Sequence, residues 1–182
     1  MSTNTHLIFQ PLRMASQDVV SYDRTITCAS DLDNGALVIE TTPATTTYGV
    51  PDLNNYVGTA PAAVATDKLL IVDSSEVARI GGEFRINVAD PRYNYVPATV
   101  TCKARQLQVG DEFAVSAGAF AATPTVGQYT YGANGATTFV AGTATLATAL
   151  AAAKTVCYIV SAWTFSVGKT NVAGYRLKVI QA

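Results

Sequence analysis

Apolar and polar residues alternate with period two over most of the chain after residue 24. Because successive side chains of a strand point to opposite faces, this pattern predicts strands with one face in a core. In "GGEFRINVAD", Phe84, Ile86 and Val88 share one face, while Arg85 and Asn87 share the other. Gly81-Gly82 and Asp90-Pro91 bound that run as turn signals. In "TVTCKARQLQVGDEFAVS", Cys102 and Ala104 oppose Lys103 and Arg105. A turn over Val109-Gly110-Asp111-Glu112 then leads to a strand carrying Phe113 and Val115. "TVCYIVSAWTFSV" sets Cys157, Ile159, Trp163 and Phe165 against Tyr158, Val160 and Thr164. The last run, "GYRLKVIQ", turns Tyr175, Leu177 and Val179 inward and Arg176 and Lys178 outward.

Two shorter runs lack a polar face. "ALVIE" (Ala36 to Glu40) and "KLLIVDS" (Lys68 to Ser74) read as strands covered on both sides. Only "TATLATALAAAK" (Thr143 to Lys154) predicts a turn or two of helix, since Ala favours helix and Leu146 and Leu150 stand four apart. Residues Thr41 to Asp67 and Thr123 to Gly135 are rich in Thr, Gly, Pro and Asn and read as long loops. Many short strands with Gly- and Pro-rich connections predict an all-β domain, a single small barrel or sandwich with at most one short helix. It spans residues 25–182. Residues 1–24 are irregular, with Leu7, Ile8 and Phe9 clustered before Pro11. They form either an N-terminal arm that packs on a neighbour or a first strand that leads into the domain.

Composition sharpens this picture. Of 182 residues, 49% are hydrophobic and only 14% charged, against about 25% charged in an average domain. A surface so poor in charge is either covered by partners or built from Thr, Ser, Asn and Gln. The formal net charge is −1, and the twelve Lys and Arg are spread along the chain. The basic stripe that marks nucleic-acid binding is missing, so no nucleic-acid partner is expected. The sequence has no apolar run of membrane-spanning length and no secretory signal pattern, so neither a membrane nor export is expected.

Candidate chemistry is sparse. Gly168-Lys169-Thr170 ends like a phosphate loop, but the position five before Gly168 is Trp163, and a strand pattern follows where a helix is needed. The tripeptide therefore reads as a hairpin connection. His6, the one histidine, lies in the irregular leader and reads as a solvent-exposed bystander, which leaves no base for a Ser or Cys nucleophile. Asp31 with Asp33 and Asp111 with Glu112 are the possible carboxylate pairs. Consecutive strand residues face opposite ways, so turn formation explains Asp111 and Glu112 better. "DLDNG" (Asp31 to Gly35) misses the register of a calcium loop and reads as a turn whose side chains bond local amides. Cys28, Cys102 and Cys157 are far apart in sequence and contain no CxxC, so buried free thiols are expected. No catalytic residue, cofactor or metal ligand is assigned, and the chain is not expected to be an enzyme. Tyrosine-rich loops around Tyr93 and Tyr95 and around Tyr129 and Tyr131 suit protein contacts, where Tyr supplies area at low entropy cost.

Several runs taken together, "DLDNGALVI", "LLIVDSSEV", "FRINVADPRYNYVPA", "LQVGDEFAVSAGAF" and "FSVGKTNVAGYRLKVI", resemble the head decoration (cement) proteins of tailed bacteriophages. The resemblance covers most of Asp31 to Gly118 and about the last twenty residues, and it lies in pattern and spacing. It implies a virion structural protein on the outer capsid surface, assembled in the host cytoplasm. Such a protein would bind the major capsid protein, form a homo-oligomer, with trimers common in such groups, and stabilise the shell. It also implies that the N-terminal arm and the loops are contact elements, which points to Leu7, Ile8, Phe9, Tyr93, Tyr95, Tyr129 and Tyr131. Another virion component, a tail-tube or head-fibre-base protein, is the alternative, and a carbohydrate-binding module a third. A tube protein should show an exposed edge strand and fewer long loops. Two further expectations concern folding. Deleting Met1 to Gln10 should leave the domain folded, and Trp163 should lie in the core.

Overall fold

The computed structural model describes residues 6–45, 49–74, 77–80, 83–86 and 95–182, with side chains except those of residues 53, 77–80 and 83–86. The chain is predominantly β, as the alternation predicts. Its strands are β1 (Phe9–Arg13), β2 (Asp23–Cys28), β3 (Leu32–Asp33), β4 (Leu37–Thr45), β5 (Pro51–Thr59), β6 (Leu70–Val72) and β7 (Val77–Ile80). They continue as β8 (Glu83–Ile86), β9 (Tyr95–Val96), β10 (Thr101–Gln106), β11 (Glu112–Ser116), β12 (Tyr129–Tyr131), β13 (Val156–Val167) and β14 (Thr170–Gln181). Helix α1 (Ala15–Asp18) is a single turn, and α2 (Leu146–Ala152) is the one longer helix among the described residues.

Barrel and sheet coexist. Strands β10, β2, β5, β4 and β6 close into a barrel, in which β2 and β5 run parallel and the other pairs antiparallel. A separate five-stranded sheet has the order β1-β11-β14-β13-β12. Ile26, Cys28, Val38, Leu70, Val72, Cys102 and Ala104 fill the barrel. Leu37, Leu69 and Ile71 point the other way and join Phe113, Val115, Cys157, Ile159, Leu177 and Val179 in the main core between barrel and sheet. This explains why "ALVIE" and "KLLIVDS" lack a polar face: β4 and β6 are walls shared by two cores. The barrel is narrow. A Cβ on Gly58 of β5 would come within 2.6 Å of Ile26 Cδ1, so a glycine leaves room for the buried isoleucine.

Four expectations are corrected. Thr41 to Asp67 is not one long loop, because it holds the end of β4 and all of β5. Pro51–Thr59 carries Asp, Asn and Gly at positions where a readable strand would carry large apolar residues, so no alternation announces it. Thr123 to Gly135 contains β12, three residues that pair with β13. Trp163 and Phe165 do not share a face with Cys157 and Ile159. Ile159 pairs with Leu177 and Ser161 with Arg176, so Val160 is an extra residue, a bulge that exchanges the faces of everything after it. Trp163 is accordingly half-buried in a satellite cluster with Ile8, Leu12, Ala114, Phe165, Val167 and Val172, outside the main core.

Candidate interaction surface

The leader is woven into the sheet. β1 pairs antiparallel with β11, placing Phe9 opposite Val115. Ile8 is buried, its amide donates to Ser116 Oγ at 3.0 Å, and its carbonyl accepts from the amide of Ser116 at 2.9 Å. Leu7 and Phe9 pack on the main core while remaining half-exposed. His6 is not a solvent-exposed bystander. Its Nδ1 lies 2.6 Å from Asp33 Oδ1, and its ring stacks on Tyr95 with centroids 4.7 Å apart.

"DLDNG" does turn at Asn34-Gly35, with the Ala36 amide donating to the Asp33 carbonyl at 3.1 Å, but its side chains bond distant amides and not the local ones expected. Asp31 accepts from the amide of Ala98 at 2.8 Å, Asp33 from that of Leu7 at 3.2 Å, and Asn34 from that of Ser74 at 2.8 Å. Each partner is distant in the chain, so the polar side chains tie the leader, β6 and the approach to β10 together. Gly35 completes the turn at φ +87°, a conformation that favours glycine. Asp111 and Glu112 also have structural partners. Buried Asp111 accepts from the amides of Ala15 at 2.7 Å and Gln108 at 2.8 Å, joining α1 to the β10–β11 turn. Glu112 pairs with Arg176 and lies 3.5 Å from Lys178 Nζ. The hydrogen bond from Arg176 holds its carboxyl below the usual range.

The tyrosines divide. Tyr93 lies outside the described residues. Tyr95 carries His6 on one ring face. Tyr129 packs near Tyr158 at 5.4 Å, and Tyr129 and Tyr131 both border the small core under α2 formed by Val64, Ala149, Ala153 and Val156. Tyr95, Tyr129 and Tyr131 are each half-buried. Helix α2 buries Ala149, as the chain just past its end buries Ala153, and turns Leu146 and Leu150 to solvent, 38% and 39% exposed.

A further surface was not read from the sequence, the hairpin of β13 and β14. Gly168 and Lys169 form its two-residue loop, with Val167 opposite Thr170. Gly168 has φ +58° and Lys169 is not in the positive region, which is the requirement of a type II′ turn. Thr170 Oγ1 donates to the Val167 carbonyl at 3.0 Å and locks it. The hairpin outreaches its neighbours. β12 pairs with β13 only over Val156–Tyr158, and β11 with β14 only over Gly174–Lys178. From Ser161 to Val167 and from Thr170 to Ala173, the two strands pair only with each other among the described residues. Both outer edges therefore present backbone donors and acceptors. Lys169 is the single charge between Ser161 and Ala173, so these edges lack the charges that ordinarily guard a free strand. Beside the free edge of β14 lies a cleft lined by His6, Leu7, Ser116, Gly118, Val172 and Ala173. The structure thus brings Leu7 of the leader to the hairpin. The signal for this surface is distributed: it needs the lengths of four strands, and no local pattern in β13 shows where β12 stops.

Compared with protein-family models, with curated proteins and with solved structures, the chain matches none.

Proposed function

We propose that the chain is a virion structural protein, a capsid decoration or cement protein that binds the outer surface of a phage head and stabilises the shell. In this reading it works by shape and contact and has no reactive centre. Its partners are the major capsid protein and further copies of itself in a homo-oligomer, of which a trimer is the form to test first, and its place is the virion surface. The resemblance of the sequence runs supports the class. The observation that carries the docking role is the hairpin: a ribbon whose only charge is Lys169 at its tip, with both edges unpaired among the described residues, flanked by a cleft that reaches Leu7. Extended segments of a neighbouring protein can add to such edges through main-chain hydrogen bonds. Many weak contacts of this kind, repeated around a symmetric shell, give high avidity without one tight pocket.

Two observations favour the second reading, a tail-tube protein. Tube walls are built by strand pairing between copies, and the free edge of β13 is suited to that. The conversion of Thr41 to Asp67 from loop to strands points the same way. Mixing purified protein with undecorated shells separates the two. Saturable attachment at a symmetric stoichiometry supports decoration, and Thr164→Lys with Asn171→Lys should weaken it without changing the far-ultraviolet circular dichroism. A folded protein that ignores shells at every concentration and instead polymerises into rings or tubes would overturn decoration in favour of the tube.

A further inference from the structure

Three cysteines are buried, but only two of them meet. Cys28 sits near the end of β2 and Cys102 in β10, and the two strands run antiparallel with Thr27 opposite Thr101. The Cys28 amide donates to the Val100 carbonyl at 3.0 Å, and the Cys28 carbonyl accepts from the Thr99 amide at 2.8 Å, so the pairing continues past the end of β10. Both side chains point into the barrel, where the Sγ atoms lie 3.5 Å apart. Cys28 is 1% exposed and Cys102 7%. Cys157 belongs to the other core, between barrel and sheet.

We propose that Cys28 and Cys102 are an oxidative modification site: a latent intrachain disulfide that forms on exposure to a peroxide-class oxidant and cross-links β2 to β10 inside the barrel. Cys28 stands opposite Val100 and Cys102 opposite Ile26, so the two cysteines are diagonal neighbours on the inner face of the barrel, with their sulfurs already in contact. The two thiols are chemically unequal. The hydrogen bond between the two sulfurs lowers the pKa of Cys28 and raises that of Cys102, which favours Cys28 as the sulfur that loses its proton first. Burial holds Cys157 as a thiol, its pKa pushed up to about 12.

The chemistry balances. The Cys28 thiolate attacks one oxygen of hydrogen peroxide and the O–O bond breaks. Hydroxide leaves and takes up the proton lost by Cys28, giving water and a sulfenic acid. The Cys102 sulfur then attacks Cys28 Sγ, the S–O bond breaks, and the departing hydroxide leaves as a second water with the Cys102 proton. Two thiols are oxidised by two electrons and one peroxide is reduced to two waters. The bond joins residues 74 apart, a long loop whose closure in the unfolded chain is where a cross-link exerts most of its effect. The site is independent of the partner on which the functional reading rests.

The test is native-state oxidation of the full chain with hydrogen peroxide, followed by alkylation in denaturant and peptide mapping. The expected product is a Cys28–Cys102 linked peptide two hydrogens lighter than the separate thiols, with Cys157 alkylated. The melting temperature should rise by roughly 5–10 °C on oxidation and return with reductant. Each variant is compared with itself before and after oxidant, so a cost to folding does not confound the readout. Cys157→Ala should keep the shift, and Cys28→Ala and Cys102→Ala should each lose it. Three alkylated cysteines after oxidation, or sulfinic acid at Cys28 with Cys102 still free, would overturn the proposal. Wild-type mapping decides the matter even if one variant fails to fold.

Discussion

The ring of Phe165 in β13 lies over Gly174 in β14, in space that no other residue type leaves open. A Cβ on Gly174 would stand 2.5 Å from the Val115 carbonyl oxygen and closer still to Phe165 Cε2. Real contacts are never so short, and the backbone oxygen cannot swing aside as a flexible side chain can. Gly174 therefore permits the aromatic on the outer face and the β11–β14 ladder together.

Gly174→Ala should destabilise the fold by about 2–3 kcal/mol, the cost of forced overpacking. Gly135→Ala is the comparison: nothing lies within 4 Å of its Cβ position, and only its φ of +73° opposes substitution, at about 1 kcal/mol. Urea denaturation of the two variants checks the difference. Equal midpoints would mean that Phe165 does not rest on Gly174.

The leader should behave as part of the fold. Ile8→Ala should cost about 2–4 kcal/mol, because the side chain is buried among Ala114, Phe165 and Val167. Deleting Met1 to Gln10 should cost more, since it also removes Leu7, Phe9 and the His6–Asp33 contact. This reverses the expectation drawn from sequence for the deletion. Thermal unfolding of the truncated chain at the wild-type temperature would show that the segment is detachable after all.

How much of this was legible depends on what each segment buries. β4, β6, β11 and β14 announce themselves, because Leu37, Ile71, Phe113 and Leu177 are large apolar residues at strand spacing, and β10 by Cys102 and Ala104 alternating with Lys103 and Arg105. β5 does not, since Asp52, Asn54, Asn55 and Gly58 break its apolar pattern, and Gly58 leaves room for Ile26 on the neighbouring strand β2. The bulge at Val160 is likewise silent: one extra residue in an alternating run looks like uninterrupted alternation until the partner strand is known. The candidate surface was half legible. Leu7 could be singled out as an apolar residue in an irregular leader, but the cleft it lines depends on where β11 ends against β14. The two junctions, Asp33 with His6 and Cys28 with Cys102, join residues too far apart in sequence for spacing to reveal them.

Trp163→Ala should cost about 1–2 kcal/mol, less than the roughly 3–5 kcal/mol of a fully buried aromatic, because the bulge places the indole half-exposed in the satellite cluster. Its fluorescence should be partly quenched by acrylamide in the native protein. A fully shielded indole would return Trp163 to the core and deny the bulge.

Glu112 gives the last prediction, a pH dependence with a definite sign. Its carboxyl is held below the ordinary value of 4.5, chiefly by the Arg176 hydrogen bond, and then by the charges of Arg176 and Lys178 against an opposing effect of burial. In the unfolded chain the group takes up a proton near its ordinary value, whereas in the folded chain it stays ionised to lower pH. Between those two points the unfolded state binds more protons, so stability rises with pH there. The contribution of the ion pair is thus fully present above about pH 5.5 and is lost as pH falls from 4.5 through the lowered folded value. Glu112→Gln keeps the shape and removes the titration. The stability difference between wild type and this variant should be flat from pH 6 to 8 at about 0.5–1.5 kcal/mol. It should shrink steadily below pH 4.5, as followed by urea unfolding at each pH. A difference that stays constant down to pH 3, or that grows as pH falls, would show that Arg176 does not hold the carboxylate in its charged form.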